Sequence, residues 1–212
     1  MKQALLSAIA ALLLIAAPAF AMDWSAAAAK MMASSVEIKD KSGQTYCTGF
    51  VIDNERDFVL TADHCMHEAN GADSAAVVEG KNAWEIQGDG LLDYAVLNIP
   101  GIDKPALRPS TKPLKTGNQV GSFGFGAGIN PGMFRTAYVA AAKMVLFKMP
   151  GTFVVYDTTF IGGMSGGPIV DTNGRVVGMV QFDIMSRGLV IAGGGRSMVD
   201  IYEATKDFWS KR

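Results

Sequence analysis

Gly162-Gly163-Met164-Ser165-Gly166-Gly167-Pro168-Ile169-Val170 is the stretch on which the fold turns. It sets one serine in a tight glycine loop, and the residues behind it read as a strand, not a helix. Serine is a weak nucleophile unless a base stands within hydrogen-bond reach and a third group orients that base. Two upstream segments offer these partners. Leu60-Thr61-Ala62-Asp63-His64-Cys65 is a strand delivering a histidine, and Leu91-Leu92-Asp93-Tyr94-Ala95-Val96-Leu97 is an acid entering an apolar strand.

In this order the residues suit one chemistry. His64 takes the proton of Ser165 and later returns it to a leaving amine, while Asp93 holds the other ring nitrogen and stabilises the imidazolium. The glycines let the backbone turn so that the N–H groups of Gly163 and Ser165 face one point, as an oxyanion requires. Each residue alone has a plainer reading: a serine between glycines as a turn, a histidine as structural or exposed, an aspartate before a strand as a turn residue. The combination favours catalysis. Asp63 stands beside His64, but neighbours on an extended chain point apart, so Asp93 is expected to be the orienting acid.

Outward from these motifs the chain alternates short strand-like runs with turns. Runs fall at 36–39, 45–52, 58–61, 75–78, 83–86 and 94–99, then at 119–125, 137–141, 153–156, 168–170, 176–182 and 189–192. Between the two groups, residues 100–117 hold Pro100, Pro105, Pro109 and Pro113 and read as a linker over the surface. Residues 23–32 are alanine-rich and suit a short helix. From Asp200, a plausible N-cap, the residues Ile201, Tyr202, Phe208 and Trp209 share one helical face. The expected class is all-β: two strand-rich halves forming a pair of small barrels, closed by a C-terminal helix at about 200–210.

The 212 residues carry 19 basic and 20 acidic side chains, a formal net charge of -1, with no clustered basic face to suit nucleic acid. Lys2, the apolar run 4–17 and Ala19-Phe20-Ala21 read as a signal peptide over 1–21, with cleavage expected before Met22, the alternative being an uncleaved membrane anchor or a buried helix. The protein at 22–212 is then expected to be secreted or periplasmic, with no stable membrane insertion. Two cysteines, Cys47 and Cys65, suggest a disulfide in an exported chain, the alternative being two separate buried thiols.

Thr61-Ala62-Asp63-His64-Cys65, Asp93-Tyr94-Ala95-Val96-Leu97 and Gly163-Met164-Ser165-Gly166-Gly167-Pro168 resemble the signatures of trypsin-like serine peptidases. The nearer resemblance is to the bacterial HtrA/Deg-like protease domain. It is supported by Thr48-Gly49-Phe50-Val51-Ile52, by Lys115-Thr116-Gly117-Asn118-Gln119-Val120 and by Gly124-Phe125-Gly126. It spans roughly 36–202 and implies two antiparallel six-stranded β-barrels, at about 36–108 and 116–198, with the site in the cleft between them. It further implies hydrolysis of peptide bonds in a polypeptide substrate, without a cofactor. It supports the Cys47–Cys65 bond, and no PDZ module is expected. By the family pattern Thr159 floors the primary substrate pocket and Gln181, Phe182 and Asp183 form one wall. No acid stands at Thr159, so a demand for Lys or Arg is not indicated and a small or medium uncharged residue before the cut is expected, with Asp183 leaving a cationic preference open. Met164 replaces the aspartate that pairs with a new N-terminus in digestive relatives, so that kind of activation is not expected.

Other readings fare worse. Gly163-Met164-Ser165-Gly166-Gly167 also satisfies G-x-S-x-G, but an α/β-hydrolase needs a histidine after the serine, and both histidines lie upstream. His67 follows His64 by three residues, yet a metal there lacks further ligands and would disable the base, so none is expected. Gly193-Gly194-Gly195 lacks the lysine of a phosphate loop and reads as a turn. A non-catalytic binding protein on a protease scaffold, or a self-processing protease with one target, remains the alternative. The oligomeric state is not legible.

Overall fold

The computed structural model describes residues 23–40, 42–67, 76–145, 151–186 and 189–211. The signal-peptide reading over 1–21 and the start of the 75–78 strand lie outside them. The described residues form thirteen strands, three short α-helices and two 3-10 turns.

The first six strands close a barrel in the order β1-β2-β3-β6-β5-β4. They are β1 Ser35–Lys39, β2 Thr45–Asp53, β3 Phe58–Thr61, β4 Ala76–Val78, β5 Lys81–Asp89 and β6 Tyr94–Asn98. All pairings are antiparallel. The apolar residues of these strands are buried in one cluster, Val36, Ile38, Phe50, Ile52, Leu60, Val96 and Leu97 among them. A short helix α2, His64–His67, turns the chain off β3.

The second half is a sheet of seven strands, ordered β11-β10-β7-β8-β9-β13-β12. They are β7 Gln119–Gly124, β8 Met133–Met144, β9 Phe153–Tyr156, β10 Pro168–Val170, β11 Val176–Met179, β12 Phe182–Ser186 and β13 Leu189–Gly195. The six-stranded count expected here is therefore replaced by a seven-stranded half-barrel. It curls toward closure, because Gly178 of β11 bridges Ser197 just beyond β13, and Gln181 N–H bonds Gly194 O at 3.2 Å.

Three local expectations change. The run at 176–182 is two strands, because Val180 leaves the ladder: its N–H bonds Gly167 O and its carbonyl receives Gly166 N–H. Gly193-Gly194-Gly195 is strand, not turn. Its bare faces accommodate the Phe160 ring over Gly193 and the Phe182 ring over Gly194, where a Cβ would stand 2.4 Å from ring carbons. The 100–117 segment runs over the surface as expected and is tied down at points, with Leu107 N–H on Val51 O, Ser110 N–H on Val176 O, and Ile102 and Leu107 buried. The last helix, α3 Met198–Thr205, is capped by Ser197, whose Oγ accepts Val199 N–H, and Asp200 falls in its first turn.

Helix α3 and the 3-10 turn Lys206–Phe208 carry Ile201, Phe208 and Trp209 onto the first barrel, where Phe208 meets Phe58 edge-on at 5.4 Å. Arg56 fixes this return: it donates to Asp53, to Asp207 O and to Trp209 O. Helix α1, Ser25–Ser34, borders β7, with Trp24 at its start against Phe134. No described helix is long and apolar enough to cross a membrane.

Candidate active site

His64, Asp93 and Ser165 come from three distant segments: His64 and Asp93 meet directly, and the main chain of Ser165 is bonded to Thr48 of β2 and lies by Cys65, next to His64. His64 opens α2 directly after β3. Its Nδ1 lies 3.0 Å from each oxygen of Asp93, and its backbone N–H also bonds Asp93 Oδ1 at 3.0 Å. The acid thus fixes both the ring and the main chain of the histidine. Asp63 takes no part in that bond: its carboxylate turns to His67, Nε2–Oδ1 3.5 Å. Burial pushes the Asp63 carboxyl above its ordinary value, with the charges of Asp93 and Asp89 adding to it and His67 opposing.

The serine loop is stitched to β2, the neighbour of the histidine strand β3. Thr48 N–H bonds Ser165 O at 2.8 Å, and the buried Thr48 hydroxyl donates to Gly163 O at 2.7 Å while accepting Phe125 N–H at 2.9 Å. Thr61 Oγ1, three residues before His64, bonds Thr48 O at 2.8 Å. Gly166 seats against this corner. It has φ +80°, and a Cβ there would stand 2.2 Å from both Thr48 O and Thr61 Oγ1.

The loop also aims its amides. Ala127 N–H takes the carbonyl of Gly162 at 2.7 Å, and in a trans peptide the Gly163 N–H then points the opposite way. Among the described residues, neither Gly163 N–H nor Ser165 N–H is bonded to the protein. Two donors close in sequence on one glycine turn can serve a single developing negative charge.

Clefts open on either side. One of about 440 Å³ is bordered by His64, Leu91, Asp93, Phe153 and Phe182. The other, of about 680 Å³, is bordered by Glu37, Lys39, Tyr46, Ala127 and Gly163. Of the expected pocket residues, Thr159 and Asp183 lie together at the turn before the serine. Asp183 Oδ1 accepts Phe160 N–H at 2.9 Å, and Thr159 O accepts Arg135 Nη1 at 2.8 Å. Burial raises the Asp183 carboxyl above its usual range, against the Phe160 N–H and the nearby Arg135 charge. Phe182 is half-buried. Gln181 is only 5 % exposed, and its amide is turned to the chain around Asp93.

Sequence reasoning missed Thr48, Arg135, Phe160 and Arg196. Thr48 sat inside a strand motif with no chemical signal of its own. The other three matter through contacts made across the sheet, which no local pattern announces. Cys47 and Cys65 stand at disulfide distance, their Sγ atoms 1.98 Å apart.

A closed β-barrel joined to a curled second sheet, with the His64–Asp93 pair and the glycine loop of Ser165 between them, defines the trypsin-like peptidase class. Residues 47–179 match the trypsin-like peptidase domain, and the chain belongs to that family. It is similar to the serine protease Rv3671c of Mycobacterium tuberculosis, 31% identical over 157 residues, covering 69% of this chain and 39% of that protein. The chain thus matches well under half the length of this curated relative. Among solved structures, the active form of the Rv3671c protease aligns with TM-score 0.70 at 23% identity, over 88% of this chain and 85% of that one. The HtrA-type protease AlgW with a decapeptide aligns with TM-score 0.74 at 15% identity, over 88% and 67%.

Proposed function

We propose that this protein is an exported serine endopeptidase, with Ser165 as nucleophile, His64 as general base and acid, and Asp93 as the group that orients the imidazole and stabilises the imidazolium. The observation that carries the reading is the pair of 3.0 Å contacts from Asp93 to His64 Nδ1, beside a serine loop bonded to the same strand corner. With Nδ1–H directed to the acid, Nε2 acts as the base. It takes the Ser165 proton as Oγ bonds to the substrate carbonyl carbon. The carbonyl oxygen becomes an oxyanion received by Gly163 and Ser165 N–H. Collapse breaks the C–N bond, and the proton passes from Nε2 to the leaving amine. Water then repeats the sequence on the acyl-enzyme: His64 takes its proton, the ester bond breaks, and Ser165 regains its hydrogen.

The substrate is a polypeptide, with a small or medium uncharged residue before the cut. The packing of Phe160 over Gly193 and the Arg135 charge near Asp183 support that preference, since they reduce both the room and the net negative charge at this wall. Cys47 and Cys65 form a disulfide, in keeping with export after cleavage of residues 1–21. N-terminal sequencing of secreted material is expected to start at Met22, and intact Met1 in the mature protein would count against export by cleavage.

The test is fluorophosphonate labelling followed by mapping of the modified peptide, with casein cleavage by wild type and Ser165→Ala alongside. Label on Ser165 and loss of cleavage in the variant are expected. Equal cleavage by both proteins ends the reading, and cleavage by neither favours a binding protein on this scaffold. A protonated His64 cannot accept the serine proton, so the rate falls toward acid pH.

A further inference from the structure

We infer that Gln181 and Arg196 are positioning residues for the reaction: together they hold the turn that presents Asp93 to His64. The inference rests on the triad reading above and goes beyond it, because neither residue belongs to the triad or to the oxyanion loop.

Asp93 sits in the left-handed region at φ +52°, a conformation that non-glycine residues keep only where their surroundings dictate it. The turn before it has almost no intrinsic regularity. Its polar groups are taken up by side chains instead. Asp89 Oδ1 accepts Leu91 N–H at 2.8 Å and Leu92 N–H at 3.1 Å. The carbonyls are held from the other sheet. Gln181 Nε2 donates to Leu92 O at 2.8 Å and to Asp93 O at 2.7 Å, and an Arg196 Nη2 hydrogen bonds Leu91 O. Three successive carbonyls ending at the acid are therefore fixed by two side chains of the second sheet.

Those two side chains are themselves locked. Gln181 is 5 % and Arg196 4 % exposed. Gln181 Oε1 accepts Arg196 N–H at 2.5 Å, which sets the amide so that its NH2 faces the turn. The guanidinium lies over the Phe153 ring at 4.3 Å and reaches Thr152 O at 3.5 Å. A fully hydrogen-bonded buried amide has one orientation, so the position of Asp93 relative to His64 follows from it. Losing it leaves Asp93 free to drift, and a drift near 1 Å in a catalytic group costs on the order of 10²-fold in rate.

A merely structural tie between the two sheets would weaken folding without acting through Asp93. A double-mutant cycle on the rate of Ser165 labelling by a fluorophosphonate separates the two. Gln181→Met is expected to slow labelling about 10- to 100-fold in the wild-type background, but less than about threefold in an Asp93→Ala background. Gln181→Glu, which keeps the acceptor for Arg196 N–H and loses both donations, is expected to behave alike. Should Gln181→Met fail to fold by circular dichroism, Gln181→Glu and Arg196→Lys carry the same cycle. An equal loss in both backgrounds, or no loss in the wild type, overturns the inference. Absence of label on the wild type itself would instead overturn the triad reading beneath it.

Discussion

Replacing Gly166 by alanine puts a single methyl group into the contact that joins the serine loop to the histidine strand. The added Cβ would stand 2.2 Å from Thr48 O, 2.2 Å from Thr61 Oγ1 and 2.9 Å from Ala62 N, two of these three atoms being main chain. Restoring ordinary contact requires the loop and the strand to part by about 1 Å. The φ of +80° adds the left-handed penalty of an L-residue, about 1–2 kcal/mol. Overpacking of a tight site adds about 1–3 kcal/mol. The expected destabilisation is thus about 2–5 kcal/mol, inside the margin of a typical domain, so the variant folds with a lower urea midpoint. The same displacement separates Ser165 from His64, and a shift of that size costs on the order of 10²-fold in labelling rate by a fluorophosphonate. Gly174→Ala is the control. It shares a positive φ, +70°, but has open space where the Cβ would go. Its cost is the backbone term alone, about 1–2 kcal/mol, with an unchanged labelling rate. A Gly166→Ala protein that labels as fast as Gly174→Ala, with the same midpoint, would refute this account of how the loop is seated.

Three further outcomes are expected. Thr48→Val removes a buried hydroxyl that serves both Gly163 O and Phe125 N–H, leaving two buried groups unbonded, and should cost about 2–4 kcal/mol with slower labelling; Thr48→Ser should restore most of both. Arg56→Ala removes the bonds to Asp53, Asp207 O and Trp209 O and the 4.8 Å stacking on Phe58, so the urea midpoint should fall by the equivalent of about 1–3 kcal/mol without change in labelling rate per folded molecule. Asp63 has a raised carboxyl in the fold, so the folded state holds its proton more tightly than the unfolded state; stability from this group is lost as pH rises from the ordinary aspartate value through the raised one. Asp63→Asn should accordingly gain melting temperature at pH 7 relative to wild type and gain less at pH 4, and a larger gain at the acid end would reverse the sign argued here.

Much of this molecule was legible one segment at a time. The apolar runs of β2 and β6, buried almost throughout, and the turn residues around them follow from strand composition and turn chemistry alone. The three chemical motifs were legible for the same reason: each is a run of neighbours whose residue types are unusual together. Errors fell where the outcome depends on a remote partner. Gly193-Gly194-Gly195 has a turn's composition and becomes strand because two phenylalanine rings need its empty faces. Residues 176–182 have one strand's composition and divide because Val180 bonds the serine loop. Asp200 and Ser197 are both fair helix caps, and the observed helix start leaves the cap to Ser197.

The local order of residues determined which side chains could do chemistry, because a nucleophile, a base and an acid are recognised by type and by the bends that carry them. Only the tertiary structure decided what those side chains face. The bond from Asp93 to His64, the seating of Gly166 and the hold of Gln181 and Arg196 on three carbonyls are all made across long stretches of chain. Their geometry follows from how a closed barrel and a curled sheet pack against each other, which is set by the whole core and by no single segment of it.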